Sequence, residues 1–328
     1  MDSAVAAAVA GDEAAFGALV EPHRRELQVH CYRMLGSYHE SEDMVQEAFL
    51  RAWRSRATFA GRSTFRAWLY RIATNACLDH LERHPRRPVP VPGQPGQSEV
   101  PWLEPFPDAL LDQAAPEAEE PAAVVVARET IELAFLVAVQ HLPPRQRAVL
   151  LLRDVLGWRA TEAAELLGSS VTSVNSSLQR ARATLRERLP QRRAEWSAAP
   201  DGASEEERAA LQRFIEASER ADVAALGALL RDDVIFSMPP EPGWMQGRDT
   251  LMAAWGPAMV GPSALGEFRL LPARANRSPA AANYVRSPGK DRFEALSLDV
   301  LRVVDGEIVE VTTFDATLFP LFGLPATL

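Results

Sequence analysis

Ten prolines fall between Pro85 and Pro121, in a stretch that also carries glycine and acid but little aromatic or branched apolar mass. Such a segment has too few donors and too little to bury to continue a helix or a core, so it reads as an extended tether. It divides the chain into a helical part before it, a second helical part after it over 122–192, and a mixed part beyond a short polar joint near 197–204. The domains expected are therefore 1–85, a linker at 86–121, 122–192 and 205–328. A chain of 328 residues is long enough for two or three cores.

Charge sorts along the same boundaries. The chain carries a net −9, which argues at first against a nucleic-acid binder. Residues 99–121 hold seven acids and no base, and 196–328 sum to −7, whereas 140–195 sum to +5 from ten arginines and five acids. Salt confines a surface field to about 10 Å, so phosphate responds to the local sign and not the total. No apolar run is long enough to span a membrane and no secretion signal opens the chain, so a cytoplasmic protein is expected. Cys31 and Cys77 have no metal-ligand spacing, and no cofactor is implied.

In the first part, Met44, Val45, Ala48, Phe49, Ala52 and Trp53 recur as one face of an amphipathic helix. Ser41 is its expected N-cap, and Asp43, Gln46 and Glu47 fall on the polar side. Beyond Gly61, Ser63 is the expected cap of a helix running to about residue 82. Along it Arg71, Asn75, Asp79 and Arg83 repeat every four residues opposite Trp68, Leu69, Ile72 and Ala76. Each polar stripe alone is compatible with a solvated surface.

The second helical part begins Leu142, Pro143, Pro144, with proline where a missing amide donor costs least. Gly157 and Gly168 bracket a short helix, and Ser170 caps a longer one to about Leu189. That pattern describes a helix-turn-helix. Its second helix exposes Thr172, Ser173, Asn175, Ser176, Gln179, Arg180 and Arg182. Amides pair with adenine and guanidinium with guanine, while hydroxyls at a helix start hold phosphate. In the last part, two helices precede a run of strands, and Asp305-Gly306 joins 293–304 to 307–314 as a hairpin. That order gives an α+β fold.

The stretches SEDMVQEAFLRAW at 41–53, WLYRIATNACLD at 68–79 and LPPRQRAVLLLR at 142–153 closely resemble the extracytoplasmic-function (group IV) sigma factors of RNA polymerase. The resemblance spans about 190 residues in order. It implies that Asp43, Gln46 and Glu47 meet the clamp coiled coil of core RNA polymerase, whose flap is a further partner surface. It also implies that Arg62, Ser63, Arg71, Asn75 and Arg83 bind the −10 element of promoter DNA, and that the helix-turn-helix binds the −35 element. The acidic linker would thread into the polymerase or serve as a solubilising spacer.

RDDV at 231–234, WMQG at 244–247 and FGLP at 322–325 resemble the SnoaL-like branch of the nuclear-transport-factor-2 fold, as fused to actinobacterial sigma factors. The fold class expected is thus multidomain, with two all-α domains followed by an α+β cone. Phe236, Met238, Trp244, Trp255, Phe268 and Phe314 would line a pocket there or form plain core. Asp299, Glu310 and Asp315 are strand-borne acids without a distinctive constellation, so no catalytic residue is assigned and no enzyme is expected. The function implied is promoter-specific initiation modulated by the last domain, through a small-molecule ligand or intramolecular contacts. A ligand-responsive helix-turn-helix regulator, and a SnoaL-type enzyme with a DNA-binding arm, are the alternatives.

Overall fold

The computed structural model describes residues 3–59, 61, 63–91, 98–114, 130–188 and 204–328. They form two compact units, each drawn from two stretches of chain: 1–87 with 110–193, and 88–109 with 194–328. Both divisions cross the linker. Part of the segment expected as a loose tether is folded.

The first unit opens with α1 (Ser3–Ala10) and α2 (Glu13–Val20). Three longer helices follow: α3 (Arg24–Leu35), α4 (Tyr38–Ser55) and α5 (Phe65–Arg83). They pack on one another around Leu27, Tyr32, Leu35, Val45, Ala48, Leu69, Ala73 and Cys77, all buried. Helix α4 starts one turn before the expected position. Its N-cap is Ser37, whose Oγ accepts from the Glu40 amide at 3.2 Å, while Ser41 is buried and donates to the Tyr38 carbonyl at 2.5 Å. Likewise Thr64, not Ser63, caps α5 by accepting from the Ala67 amide at 3.1 Å. Gly36 closes α3 at φ 77°, a left-handed value that glycine adopts without cost.

Beyond α6 (Asp108–Ala114), the unit continues with α7 (Leu133–Gln140), α8 (Pro144–Leu150), α9 (Ala160–Leu166) and α10 (Val171–Arg188). After Leu150 the helix widens into a π-turn over Leu151–Val155, which ends the run before Gly157. Ala163, Ala164 and Leu166 of α9 and Val174, Leu178 and Ala181 of α10 are buried. Leu167, next to Leu166, is only half-buried.

The second unit holds two short paired strands, β1 (Val89–Pro90) and β2 (Ser98–Glu99), and a six-stranded sheet. Helices α11 (Glu205–Glu219) and α12 (Val223–Leu229) lead into β3 (Leu230–Met238) and β4 (Glu241–Gln246). Then come α13 (Arg248–Met259), β5 (Glu267–Ala275), β6 (Ser278–Arg286), β7 (Glu294–Val304) and β8 (Glu307–Asp315). Strand order is β4-β3-β8-β7-β6-β5, antiparallel except for β3 beside β8. A capping box starts α11: Ser204 Oγ accepts from the Glu207 amide at 3.0 Å and Glu207 returns to the Ser204 amide at 2.8 Å. At the head of β5, a Cβ on Gly266 would lie 2.1 Å from the Arg286 carbonyl oxygen, so only glycine fits.

Candidate polymerase and promoter surfaces

On α4, Asp43 and Gln46 are exposed and Glu47 is partly exposed. Glu47 accepts from Arg51 at 2.7 Å, and Arg51 reaches Asp79 of α5 at 2.5 Å, so this acidic face is braced across two helices. Leu50 stands on the same face, 51% exposed. Sequence reading missed it, although its position seven residues after Asp43 gives the helical spacing. An apolar side chain among acids is what a protein partner can bury.

The loop between α4 and α5 is pinned by an aromatic triad. Phe59 lies 5.5 Å from Phe65 and 5.3 Å from Trp68, and Phe65 lies 5.5 Å from Trp68, ring centre to ring centre. Within it Ser63 is exposed; Arg62 lies outside the described residues. Arg71 and Arg83 are exposed on α5, and Asn75 is half-buried. The triad fixes where the loop leaves and enters helix, a signal present in sequence only as three spaced aromatics.

On α10, Ser170 Oγ accepts from the Ser173 amide at 3.1 Å. Thr172, Ser173, Asn175, Gln179, Arg180 and Arg182 are exposed, with Ser176 half-buried beside them. Arg182 is engaged with Asp154 through two hydrogen bonds of 2.7 and 2.8 Å, which raise its pKa. DNA would have to compete with that carboxylate.

These two helical surfaces belong to one folded unit. The Arg147 guanidinium, 4% exposed, donates to the carbonyls of Val139, Gln140 and Leu142 in its own helical part and to the Met34 carbonyl at the end of α3. It also meets Gln140 Oε1 at 2.6 Å. No carboxylate is among these acceptors, and burial lowers its pKa to about 9. Arg33 Nε donates to the Thr130 carbonyl at 3.2 Å, and Trp158 packs on Tyr70 at 5.7 Å between ring centres. A cleft of about 750 Å³ opens beside that ring pair.

In the second unit, Asp299 is buried on β7 in register with Thr313 of β8. It accepts from Thr313 Oγ1 at 2.7 Å and from Asn283 Nδ2 at 2.8 Å. Burial pushes its carboxyl above the usual range. Phe236, Met238, Trp255 and Phe268 gather in one apolar cluster around Leu301 and Val311. Trp244 and Phe314 fall on the other face: Met245, not Trp244, is opposite Phe236, and Phe314 pairs with Leu298, one residue out of step with Asp299. Glu310 faces Arg302 at 3.1 Å as a cross-strand ion pair, and Asp315 caps the closing turn.

The linker supplies a third surface. The two-residue turn between β5 and β6, Asn276 and Arg277, has φ of 55° and 63°. Asn276 Oδ1 accepts from the Phe106 amide at 2.8 Å, and the Asn276 amide donates to the Phe106 carbonyl at 2.9 Å. Asp108 accepts from the Arg277 amide at 2.8 Å and from Arg274 Nε at 3.0 Å. Pro107 bridges to Ala275 as a stub of strand at the β5 edge. Val100, Leu103 and Phe106 are buried, and Glu99 accepts from the amides of Gly243 and Trp244.

Comparison with known proteins identifies the domains of the chain. Residues 19–87 match the Sigma-70 region 2 family, 132–185 the Sigma-70, region 4 family and 211–311 the SnoaL-like domain. Over 327 residues the chain is 46% identical to ECF RNA polymerase sigma factor SigG of Mycobacterium tuberculosis, covering 95% of this chain and 85% of that protein. The chain belongs to the extracytoplasmic-function RNA polymerase sigma factors. SigW of Bacillus subtilis is 32% identical over 182 residues, 55% of this chain and 91% of that one. The crystal structure of SigJ of Mycobacterium tuberculosis shares the fold, with a TM-score of 0.58 at 21% identity over 90% of this chain and 95% of that one. The sigma factor's partners are core RNA polymerase and promoter DNA, and its activity is promoter-specific initiation, the work of a transcription factor. Among the described residues no helix is long and apolar enough to cross a membrane, and no cluster of His, Cys, Asp and Glu is built to hold a metal.

Proposed function

We propose that the C-terminal domain of this sigma factor governs initiation by holding the interdomain linker, and that it does so without catalysis. The observation that carries this is the grip on Phe106 and Asp108 by Asn276, Arg274 and Arg277. A segment held by a half-buried ion pair and three backbone-anchored hydrogen bonds cannot enter a polymerase channel until it is released. The acids of 99–121 suit a basic channel, so whether they are bound to the domain or free sets how the sigma factor engages polymerase.

In the same reading, Asp43, Gln46 and Glu47, with Leu50 among them, meet the clamp coiled coil. The charges steer and register the encounter, and the apolar contact supplies affinity. Ser63, Arg71, Asn75 and Arg83 bind the melted −10 strand through stacking and phosphate contacts. Thr172, Ser173, Asn175, Ser176, Gln179, Arg180 and Arg182 read the −35 duplex from the major groove. Asp299 has its acceptors engaged by neighbouring donors, which supports a structural role.

Run-off transcription with core polymerase tests the regulatory part. Asp108→Ala and a chain ending at residue 200 should shift promoter output in the same direction. Unchanged output from both, at saturating and limiting core, would remove the C-terminal domain from control.

A further inference from the structure

In the helix-turn-helix, one contact is ordered beyond what stability needs. Asp154 accepts from Arg182 Nε at 2.8 Å and from Arg182 Nη2 at 2.7 Å. This bidentate pair joins the π-turn after α8 to the far half of α10. The arginine side chain is 55% exposed and the aspartate 30%, so water screens them and the pair adds little to folding.

The carboxylate is nonetheless held in place. The Leu156 amide donates to the Leu151 carbonyl and the Trp158 amide to the Leu152 carbonyl, both at 2.9 Å. Arg153 also donates to the Trp158 carbonyl. A turn closed by these hydrogen bonds cannot swing Asp154 away from α10.

A guanidinium pairs through edges, each made of two parallel N–H groups. Asp154 takes the edge formed by Nε and one N–H of Nη2. The edge formed by Nη1 and the other N–H of Nη2 meets no partner among the described residues. Arg180, two residues earlier, meets the Ser177 hydroxyl at 3.4 Å and no carboxylate. Of these two exposed arginines, Arg180 keeps its full charge, whereas Arg182 is largely neutralised and aimed.

Helix position decides what the open edge reaches. Arg182 stands eleven residues beyond Val171, about 16 Å along the axis at 1.5 Å per residue. A recognition helix reads bases from its N-terminal end, and the major groove is about 8.5 Å deep. Arg182 therefore meets the rim of the groove, where phosphate oxygens stand. Two parallel N–H groups match two oxygens of one phosphate.

We propose that Asp154 is a positioning residue for −35 recognition: it holds the Arg182 guanidinium so that the open edge takes one phosphate at the groove rim in a single register. The inference rests on the reading of α10 as the −35 helix. The carboxylate fixes the direction in which the arginine donates, and it repels phosphates that approach from any other direction. Random duplex gains little from Arg182, while a correctly docked promoter gains a preformed contact. Asp154 thus raises the ratio of specific to non-specific binding without touching DNA.

Holoenzyme reconstituted from the full-length chain and core polymerase tests this. The duplex that natural holoenzyme enriches most from a pool randomised over the −35 window is compared with a scrambled duplex by competition. Asp154→Asn should bind the scrambled duplex several-fold more tightly and steepen its salt slope by about one, the signature of one more phosphate neutralised. The ratio of the two affinities should fall at least fivefold. Arg182→Lys keeps the charge without the edge and should lower the ratio similarly. In an Arg182→Ala background, Asp154→Asn should leave the ratio unchanged, because the side chain through which it acts is gone. A ratio that falls as far in that background, or an Asp154→Asn ratio within twofold of the natural one, overturns the proposal. Discrimination lost at a single base position would put the open edge on a guanine and overturn the phosphate register. If Arg182→Ala changes neither affinity while Asn175→Ala and Gln179→Ala weaken promoter binding, the role of the pair fails and the −35 reading of α10 stands. If none of the three weakens it, that reading fails too.

Discussion

Replacing Asp108 by asparagine isolates the linker grip with almost no change in shape. The carboxylate accepts from the Arg277 amide at 2.8 Å and from Arg274 Nε at 3.0 Å. Asparagine retains an oxygen for the amide but turns an NH2 toward the guanidinium. A hydrogen bond to a charged group contributes about 1.5–3 kcal/mol. Arg274 is 30% exposed and Asp108 7% in their side chains, so water recovers part of the loss and about 2 kcal/mol is the expected cost. That corresponds to roughly thirtyfold in the local opening equilibrium. Amide exchange reads it directly, because the Phe106 and Asn276 amides are both donors within the grip. Both should exchange roughly thirtyfold faster in the full-length variant, with β7 and β8 unchanged. Acceleration of less than about threefold would refute the argument. Equal acceleration throughout the sheet would show that the domain, not the grip, had been weakened.

Charge reversal of Asp43 and Glu47 to arginine should weaken core binding at least tenfold, measured by competition for labelled core, with helix content unchanged by circular dichroism. His30 is buried, and desolvation, then Arg33, lowers its pKa to about 3 from 6.5. Its contribution is therefore intact above pH 6.5 and is lost as pH falls toward 3, by about 1.4 kcal/mol per unit. Urea midpoints of the helical unit should show this slope, and His30→Gln should flatten it. Asp299 shifts the opposite way. Its raised pKa means that the folded form retains a proton the unfolded chain releases, so its contribution is full in acid and declines as pH rises through the folded value. The melting temperature of the C-terminal unit should fall less with rising pH in Asp299→Asn than in the natural chain; parallel profiles would sink the assignment.

What sequence revealed was what short-range chemistry encodes. The β7–β8 hairpin was legible because Asp305-Gly306 offers the two left-handed positions such a turn needs, and both are observed. The helix-turn-helix was legible from two glycines and a capping serine. The β5–β6 turn was not, because Asn276 and Arg277 take the same backbone without glycine, and the Asn276 side chain and both backbone amides are committed to residues about 170 positions earlier. The folding of 99–108 was hidden for the same reason: prolines and acids suggest a tether unless the partner that buries Phe106 is known. The union of the two helical domains was equally illegible, since Arg147 is satisfied by carbonyls, which every residue possesses. Helix starts slipped to Ser37 and Thr64 because serine and threonine neighbours compete for one cap.

The grip on the linker also has a consequence in time. Phe106 leaves the ribosome about 170 residues before the turn that receives it. At 5–20 residues per second, roughly ten to thirty seconds pass with the linker made and its holder absent. During translation the helical domains and a free linker coexist on every nascent chain. A message cut short within that window would yield a sigma factor that never acquires its restraint.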